Sequence, residues 1–393
     1  VESQNLSPFQ VLTCIPRGII NGSEVVVLIF LVGGCFYIVD KTGALKEGVT
    51  FLTSKVQGRE ELALLLIGFL FAIGGATEGL QEEIIPLIPI LLTLTRSLGY
   101  PPIVTIAISF GAATIGAAFS PVNPFAAVIA QKVAEVPFLS NGLFMLLVSL
   151  FAFSLWMFMV IGYANANRIA KQKSNEVLNA TLQPTNVLIL SLVGTGFVLL
   201  IVGMLFWGWG FNEISATFFV IGVLAGLIGK LGINGTFSSY GEGFKDISVA
   251  ALIVGLAYGI SLVLKEGVII DTIIYALFTP LQYVPPALSA FGMMISQAML
   301  HVAVPSYSGQ AVLTIPILAP LSDLIGLSRE VCVMAFQFGA VLMDMVIPTN
   351  GALMAVIALT GISYSEWINF LTKRLVAIYL FCTLVLLLAI AFL

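Results

Sequence analysis

Apolar residues fill long runs of this chain, and polar residues interrupt them at a few definite places. A helix needs about 20 apolar residues to cross the hydrocarbon core of a bilayer. On that measure spans are predicted near 22–40, 101–136, 141–165, 185–207, 214–230, 249–264, 328–360 and 369–393. Two of these are broken, 101–136 at 120–124 and 328–360 at 347–351. Two further stretches, 60–98 and 287–325, are too long for one crossing. Gly74 to Glu83 interrupts the first and Pro305 to Gln310 the second. Each is read as a re-entrant hairpin whose tip faces a cavity, because non-helical backbone at membrane depth is tolerated only beside protein or water. Charged amphipathic arms at 41–58 and 265–285 precede the hairpins. Val1 to Arg17 is polar to mixed and reads as a loop, with a preceding helix expected.

The pattern occurs twice. Ile88-Pro89-Ile90-Leu91 returns 227 positions later as Ile315-Pro316-Ile317-Leu318. At the same offset Gly99 matches Gly326, Val104 matches Val331, Ala113 matches Ala340, Pro121 matches Pro348 and Asn123 matches Asn350. Both copies carry Pro-x-Asn inside apolar sequence, at 120–124 and 347–351. Broken apolar helices at corresponding places in two halves point to a transporter's substrate site. The fold class expected is an all-α polytopic membrane protein of two inverted repeats, each with a hairpin and a broken helix. Repeat one is 1–140, connecting and scaffold helices are 141–248, and repeat two is 249–393.

Composition agrees. The chain is 59% hydrophobic and 9% charged, against about a quarter charged in soluble domains. The net charge of −4 gives no reason to expect nucleic acid as a partner. Four cysteines, Cys14, Cys35, Cys332 and Cys382, show no ligand or disulfide spacing. Lys and Arg set orientation, because cytoplasmic loops carry the excess. If residue 40 ends a span inside, twelve cations fall inside, among them Arg96, Arg168, Lys373 and Arg374. Four fall outside: Arg17, Lys132, Lys265 and Arg329. The first hairpin then opens from the cytoplasm and the second from the opposite face.

Polar groups at membrane depth are the candidates for function. The first tip carries Glu78, Glu82 and Glu83. Each buried carboxylate costs roughly 2.5–3.5 kcal/mol on insertion scales, so they imply water, a proton, a cation or a cationic substrate. Glu82 and Glu83 also suit a helix N-terminus. The second tip offers Ser306, Ser308, Gly309 and Gln310, uncharged groups that fit Na⁺ or a carboxylate; a serine N-cap on a polar turn is the plainer account. The broken loops offer Ser120, Asn123, Thr349 and Asn350, candidate Na⁺ ligands through oxygens and freed carbonyls; a proline kink is the plainer account there. Asp344 precedes the second loop by about one turn and is a candidate by its depth. His301 is the only histidine and reads first as a packed residue, then as a proton relay.

The chain resembles the C4-dicarboxylate anaerobic carrier family, in its YfcC-like group, within the ion transporter superfamily. The resemblance runs from Leu6 to the C-terminus. Its most specific residues are Ile15-Pro16-Arg17-Gly18, Asp40-Lys41-Thr42-Gly43, Glu82-Glu83-Ile84-Ile85-Pro86, Asn123-Pro124-Phe125-Ala126, Ser308-Gly309-Gln310-Ala311 and Ala335-Phe336-Gln337-Phe338-Gly339. It implies a homodimer in a bacterial inner membrane, with a scaffold domain and a mobile transport domain in each protomer. It also implies elevator transport coupled to Na⁺ or H⁺, with no cofactor and no enzymatic step. Cation sites carried over from the superfamily pair Glu82 and Glu83 with Ser120 and Asn123, and Ser308 and Gln310 with Thr349 and Asn350. Better-known members carry Ser-Asn-Thr at both tips, whereas the first tip here is acidic. The expected cargo is therefore a small charged metabolite, first an amino acid of the arginine or ornithine kind, with a C4-dicarboxylate as the alternative. An ion channel is the alternative class, although no selectivity-filter repeat is present. A hydrolase lacks a nucleophile and base in register.

Overall fold

The computed structural model describes residues 6–48, 51, 59–137, 139–169, 183–207, 209–267 and 270–392, and every element among them is helical. In chain order these are α1 (Pro8–Asn21), α2 (Ser23–Lys41), α3 (Glu60–Glu78), a 3-10 turn (Glu82–Leu87) and α4 (Ile88–Ser97). Then come α5 (Pro102–Val133, interrupted at 120–123), α6 (Gly142–Ala166), α7 (Pro184–Trp207), α8 (Phe211–Ile228) and α9 (Gly232–Glu266). The last six are α10 (Ile270–Phe278), α11 (Pro286–His301), α12 (Tyr307–Leu324), α13 (Arg329–Met343), α14 (Gly351–Thr360) and α15 (Tyr364–Phe392). Five helices among the described residues are long and apolar enough to cross a membrane.

The breaks fall where the sequence places them. Pro121 and Pro124 cannot donate to a helical ladder, and α5 opens after Phe119 into extended backbone at Ser120. It restarts at Pro124 with Asn123 as its cap. The second break is wider: α13 ends at Met343 and α14 begins after Asn350. The stretches 60–98 and 287–325 each fold as helix, turn and helix.

Two expectations need correction. The segment read as a loop up to Arg17 is helical from Pro8. Ser7 and Gln10 form a capping box and Pro8 sits at the first turn, a strong start signal that polar composition obscured. The span expected at 249–264 is part of α9, which starts at Gly232. Its polar first half packs along α2, and the Tyr240 hydroxyl donates to the Phe219 carbonyl at 2.8 Å. Of the two arms, 49–50, 52–58 and 268–269 lie outside the described residues; within the second arm, Thr279–Tyr283 is a 3-10 turn.

Packing groups the helices into two apolar clusters. The larger unites α3, α5, α6, α11 to α15 and the 3-10 turn. The smaller unites one face of α2 with α7, α8 and Tyr240 of α9. In the larger cluster α3 lies against the first half of α5, and α11 lies against α13. The second arms cross over: α12 packs on the second half of α5, and the 3-10 turn packs on α14. Small residues permit the closest crossings, as in other membrane helices. A Cβ on Gly75 would run into the Ala113 backbone, and one on Gly339 into the Met294 carbonyl.

The two hairpin mouths lie at opposite ends of α5. At one end the Gly99 carbonyl accepts from Ile169 N–H at 2.9 Å. At the other, Arg329 donates to the Ala134 carbonyl at 2.9 Å and to Glu135 at 3.0 Å. The chain from α13 to α14 runs the other way, since Ile362 shares a cleft with Pro101.

Candidate functional site

The first broken loop is closed on protein groups. Ser120 donates to the Ala76 carbonyl at 2.7 Å and accepts from the Asn123 N–H at 2.9 Å. Asn123 donates to the Gly75 carbonyl at 2.8 Å, while its oxygen accepts from Phe125 and Ala126 N–H groups at 3.0 and 2.8 Å. The loop is thus pinned to the last turns of α3. Gln337 adds a bond to the Ser120 carbonyl at 2.9 Å. Both hydrogen-bonding ends of the Asn123 amide are occupied.

The second loop has the same cap but different partners. Asn350 accepts from Leu353 N–H at 2.8 Å, which turns its NH₂ group toward Gln81 Oε1 at 3.2 Å. Asn350 therefore reaches the first tip, across the molecule, rather than its own hairpin. The Thr349 hydroxyl is buried without a hydrogen-bond partner among the described residues. Orphaned hydroxyls at buried positions are uncommon and costly.

Between the tips lies Asp344, 2% exposed. Its Oδ2 accepts from the Tyr307 hydroxyl and from Gln81 Nε2. Its Oδ1 faces His301 Nε2 at 2.9 Å. His301 is fully buried, and its Nδ1 lies 2.6 Å from Gln310 Oε1. Gln310 Nε2 in turn donates to the Gln297 carbonyl at 2.8 Å. First tip, second tip and second loop thus meet on one carboxylate.

The donor directions in this chain are fixed from its ends. The Gln297 carbonyl can only accept, so Gln310 points its NH₂ there and its oxygen at His301. His301 Nδ1 must then carry a hydrogen. At the other end Leu353 N–H can only donate, which orients Asn350 and then Gln81, whose NH₂ points at Asp344. One contact is left open, His301 Nε2 against Asp344 Oδ1. A single proton satisfies it, held by either partner. Without that proton a carboxylate would face the lone pair of Nε2.

The remaining candidates lie around this centre. Glu82 and Glu83 open the 3-10 turn; both are half-buried, and Glu83 accepts from Gln81 N–H at 3.1 Å. Both glutamates follow Gln81, whose side chain donates to Asp344, so the acidic pair neighbours that carboxylate along the chain. Glu78 ends α3, and its side chain lies outside the described residues. Ser306 caps α12 through Gly309 N–H at 3.2 Å, and Ser308 is half-buried in the first turn. Gln310 bonds His301, and no hydrogen bond joins Ser308 or Gln310 to Thr349 or Asn350 among the described residues. Gln81, Tyr307 and Gln297 escaped selection from the sequence. Gln81 and Tyr307 lie inside the tip segments, and Tyr307 stands where the first repeat has Leu80. That polar-for-apolar exchange was the available signal.

Electrostatically the centre is acidic. Asp344 lies in it and Glu82 and Glu83 adjoin it through Gln81, with His301 as the basic group at Asp344 and no lysine or arginine paired to Asp344 among the described residues. No cluster of three metal-ligating acids, cysteines or histidines occurs among them either. The arrangement favours positive charge, supplied as a proton, a monovalent cation or an amine.

Comparison with known proteins meets this geometry. The family model for the C4-dicarboxylate anaerobic carrier matches residues 8–391. An Escherichia coli protein named "Putative basic amino acid antiporter YfcC" is 32% identical over 388 residues, covering 92% of this chain and 76% of that protein. An uncharacterized Haemophilus influenzae protein is 31% identical over 371 residues, covering 90% and 73%. The crystal structure of the Alcanivorax borkumensis YdaH transporter superposes with a TM-score of 0.50 at 15% identity, over 98% of this chain and 90% of that one. That likeness concerns the fold alone. With the family match running almost end to end and the helices of a multi-pass membrane protein beneath it, the chain belongs to the C4-dicarboxylate anaerobic carrier family, among its YfcC-like members.

Proposed function

We propose that this carrier is a proton-coupled secondary transporter of a small cationic metabolite, foremost a basic amino acid. The observation that carries the reading is the one-proton contact between His301 and Asp344, with Glu82 and Glu83 next to Gln81 and no lysine or arginine paired to Asp344 among the described residues. A buried carboxylate needs a positive partner, because uncompensated charge in a low-dielectric interior costs several kcal/mol. A proton fills that role in the empty carrier. An ammonium or guanidinium group fills it in the loaded one. Both compete for Asp344, so each state carries one positive charge there, and exchange of cation for proton follows. The name of the Escherichia coli relative agrees with this cargo and direction.

The carboxylate of such a substrate needs donors. The second tip provides them: Ser306, Ser308 and the N–H groups at the start of α12, where the helix dipole favours anions. Thr349, with its unpartnered hydroxyl, stands ready beside Asn350. Glu82 adds a second negative group for a side-chain amine. The two hairpins are read as re-entrant and the two halves as inverted repeats, supported by mouths at opposite ends of α5. The larger apolar cluster is read as the moving body and the smaller as scaffold in an elevator dimer in the bacterial inner membrane.

The family's name favours a second cargo, a C4-dicarboxylate. Two carboxylates would then meet Glu82, Glu83 and Asp344, and only prior protonation of those acids would admit them. The test uses proteoliposomes with an imposed pH gradient. Arginine or ornithine uptake is expected to follow the gradient and to be independent of Na⁺. Asp344→Asn, which keeps the shape but cannot hold the exchanged proton, is expected to lose the gradient response. Succinate uptake with no response to amines would overturn the reading, as would full pH coupling in Asp344→Asn.

A further inference from the structure

We propose that the cleft between the start of α5, the end of α6 and the first half of α15 binds the phosphate of an anionic phospholipid. The cleft has a volume of about 510 Å³, and its lining includes Pro101, Tyr163, Glu366, Asn369, Lys373 and Arg374. Its cations are not neutralised: among the described residues no carboxylate pairs with Lys373 or Arg374. The guanidinium of Arg374 is stacked 3.8 Å from the Phe370 ring centre and 4.9 Å from that of Tyr163. Two rings and the Phe370 carbonyl, which accepts from Arg374 Nη1, hold it in place, leaving Nη2 free for an anion, while its Nε is buried without a partner among the described residues. Glu366, the acid in the lining, is turned to its own helix start. It accepts from Ser363 N–H at 2.7 Å and from the Ser363 hydroxyl at 2.9 Å.

Position decides what anion this is. Residues 375–392 of α15 contain no charged side chain, and at 1.5 Å per residue they span about 27 Å, close to a bilayer's hydrocarbon thickness. Lys373 and Arg374 therefore stand at headgroup level. Val376, Leu380, Leu384 and Leu387 are all exposed, at 55%, 67%, 54% and 46%. Their spacing of four, four and three makes one stripe along the helix, and Lys373 lies at its foot. A phospholipid would lay an acyl chain on the stripe and set its phosphate between Lys373, Arg374 and Asn369. Basic pockets between membrane helices at the cytoplasmic surface bind lipid headgroups by this chemistry. The cleft lies at the end that carries Arg168 and the mouth of the first hairpin, so an occupant would wedge against the moving body where α5 begins.

The experiment uses the full chain, purified in detergent and stripped of lipid. Its thermal midpoint is followed while phosphatidylglycerol is titrated in, with phosphatidylcholine and inorganic phosphate in parallel. Phosphatidylglycerol is expected to raise the midpoint, and the other two are not. Lys373→Gln, which leaves the Arg374 stack intact, is expected to weaken the apparent affinity about fivefold, the effect of one cation at a lipid surface. Lys373→Gln with Arg374→Gln should abolish the response. If Lys373→Gln titrates like the wild type, the site is wrong. If inorganic phosphate reproduces the shift, the cleft takes a soluble anion and the lipid assignment falls. The readout requires no transport, so it stands or fails apart from the cargo proposed above.

Discussion

Asn123 and Asn350 are the same residue at matching positions, yet the structure gives them different work. Asn123 joins its own loop to the end of α3, bonding the Gly75 carbonyl and two N–H groups. Asn123→Ala removes a cap and strands a buried carbonyl, so it is expected to cost about 1–3 kcal/mol of stability. Lowered thermal midpoint and poor yield in detergent would register this. Asn350 caps α14 and orients Gln81 toward Asp344. Asn350→Ala is expected to retain more stability and to impair coupling, measured as substrate uptake with a reduced response to the pH gradient. Equal thermal loss in both variants, with coupling intact in Asn350→Ala, would contradict this division. His301 belongs at this scale too. His301→Gln keeps a donor toward Gln310 or Asp344 but removes the exchangeable pair. It is expected to bind amine in a titration at fixed pH while failing to couple.

Helix against helix, the decisive features are close crossings and clasps at the ends. Gly339 lets α13 approach the α11 backbone at the Met294 carbonyl. Gly339→Ala would have to push two backbones apart, and overpacking of this sort costs about 1–3 kcal/mol. A fall in the thermal midpoint should report it. At the mouth of the second hairpin Arg329 binds Asp323 at 2.8 Å and Glu135 at 3.0 Å, joining the end of α12 to the end of α5. The hydrogen bond from Arg329, and then its charge, hold the Asp323 carboxyl below its ordinary value. A lowered carboxyl stabilises the fold above its unfolded value, about 4, and that stabilisation is lost as pH falls through the folded value. Wild-type protein should therefore unfold at a higher temperature than Asp323→Asn at pH ~6, with the difference shrinking as pH falls below about 4 and the carboxyl takes up its proton. A difference that persists at the acid end would show that the pair does not hold the mouth.

For the molecule as a whole, direction is the first question. Cysteines placed beside Arg96 and beside Asp323 are expected to label from opposite sides of a sealed vesicle. That expectation rests on mouths at opposite ends of α5. Labelling of both from one side would remove the inverted reading and with it the elevator. Much of this architecture was legible in the chain. Apolar runs of about 20 residues give spans by the thickness of a bilayer alone. Pro121, Pro124 and Pro348 give breaks because proline cannot donate to a helix. The 227-residue offset marks corresponding elements before any fold is known. The acidic first tip, with Glu82 and Glu83, was visible as charge out of place in apolar sequence.

Other facts depended on contacts that no window of sequence contains. The long reach of α9 back to Gly232 was hidden by polar composition, since packing on α2 overrides hydropathy there. The central network joins Gln81, His301, Tyr307, Gln310, Asp344 and Asn350 from five separate elements. Each of them, read in its own segment, is one polar residue in a turn or on a helix. The sequence determined that this chain lies in a membrane, where it breaks and that it repeats, because those follow from local hydrophobicity and local backbone chemistry. Contacts made in the folded chain separate the two asparagines: nearby N–H groups orient both amides alike, but the group brought to the free NH₂ end is the Gly75 carbonyl for Asn123 and Gln81, the neighbour of Asp344, for Asn350.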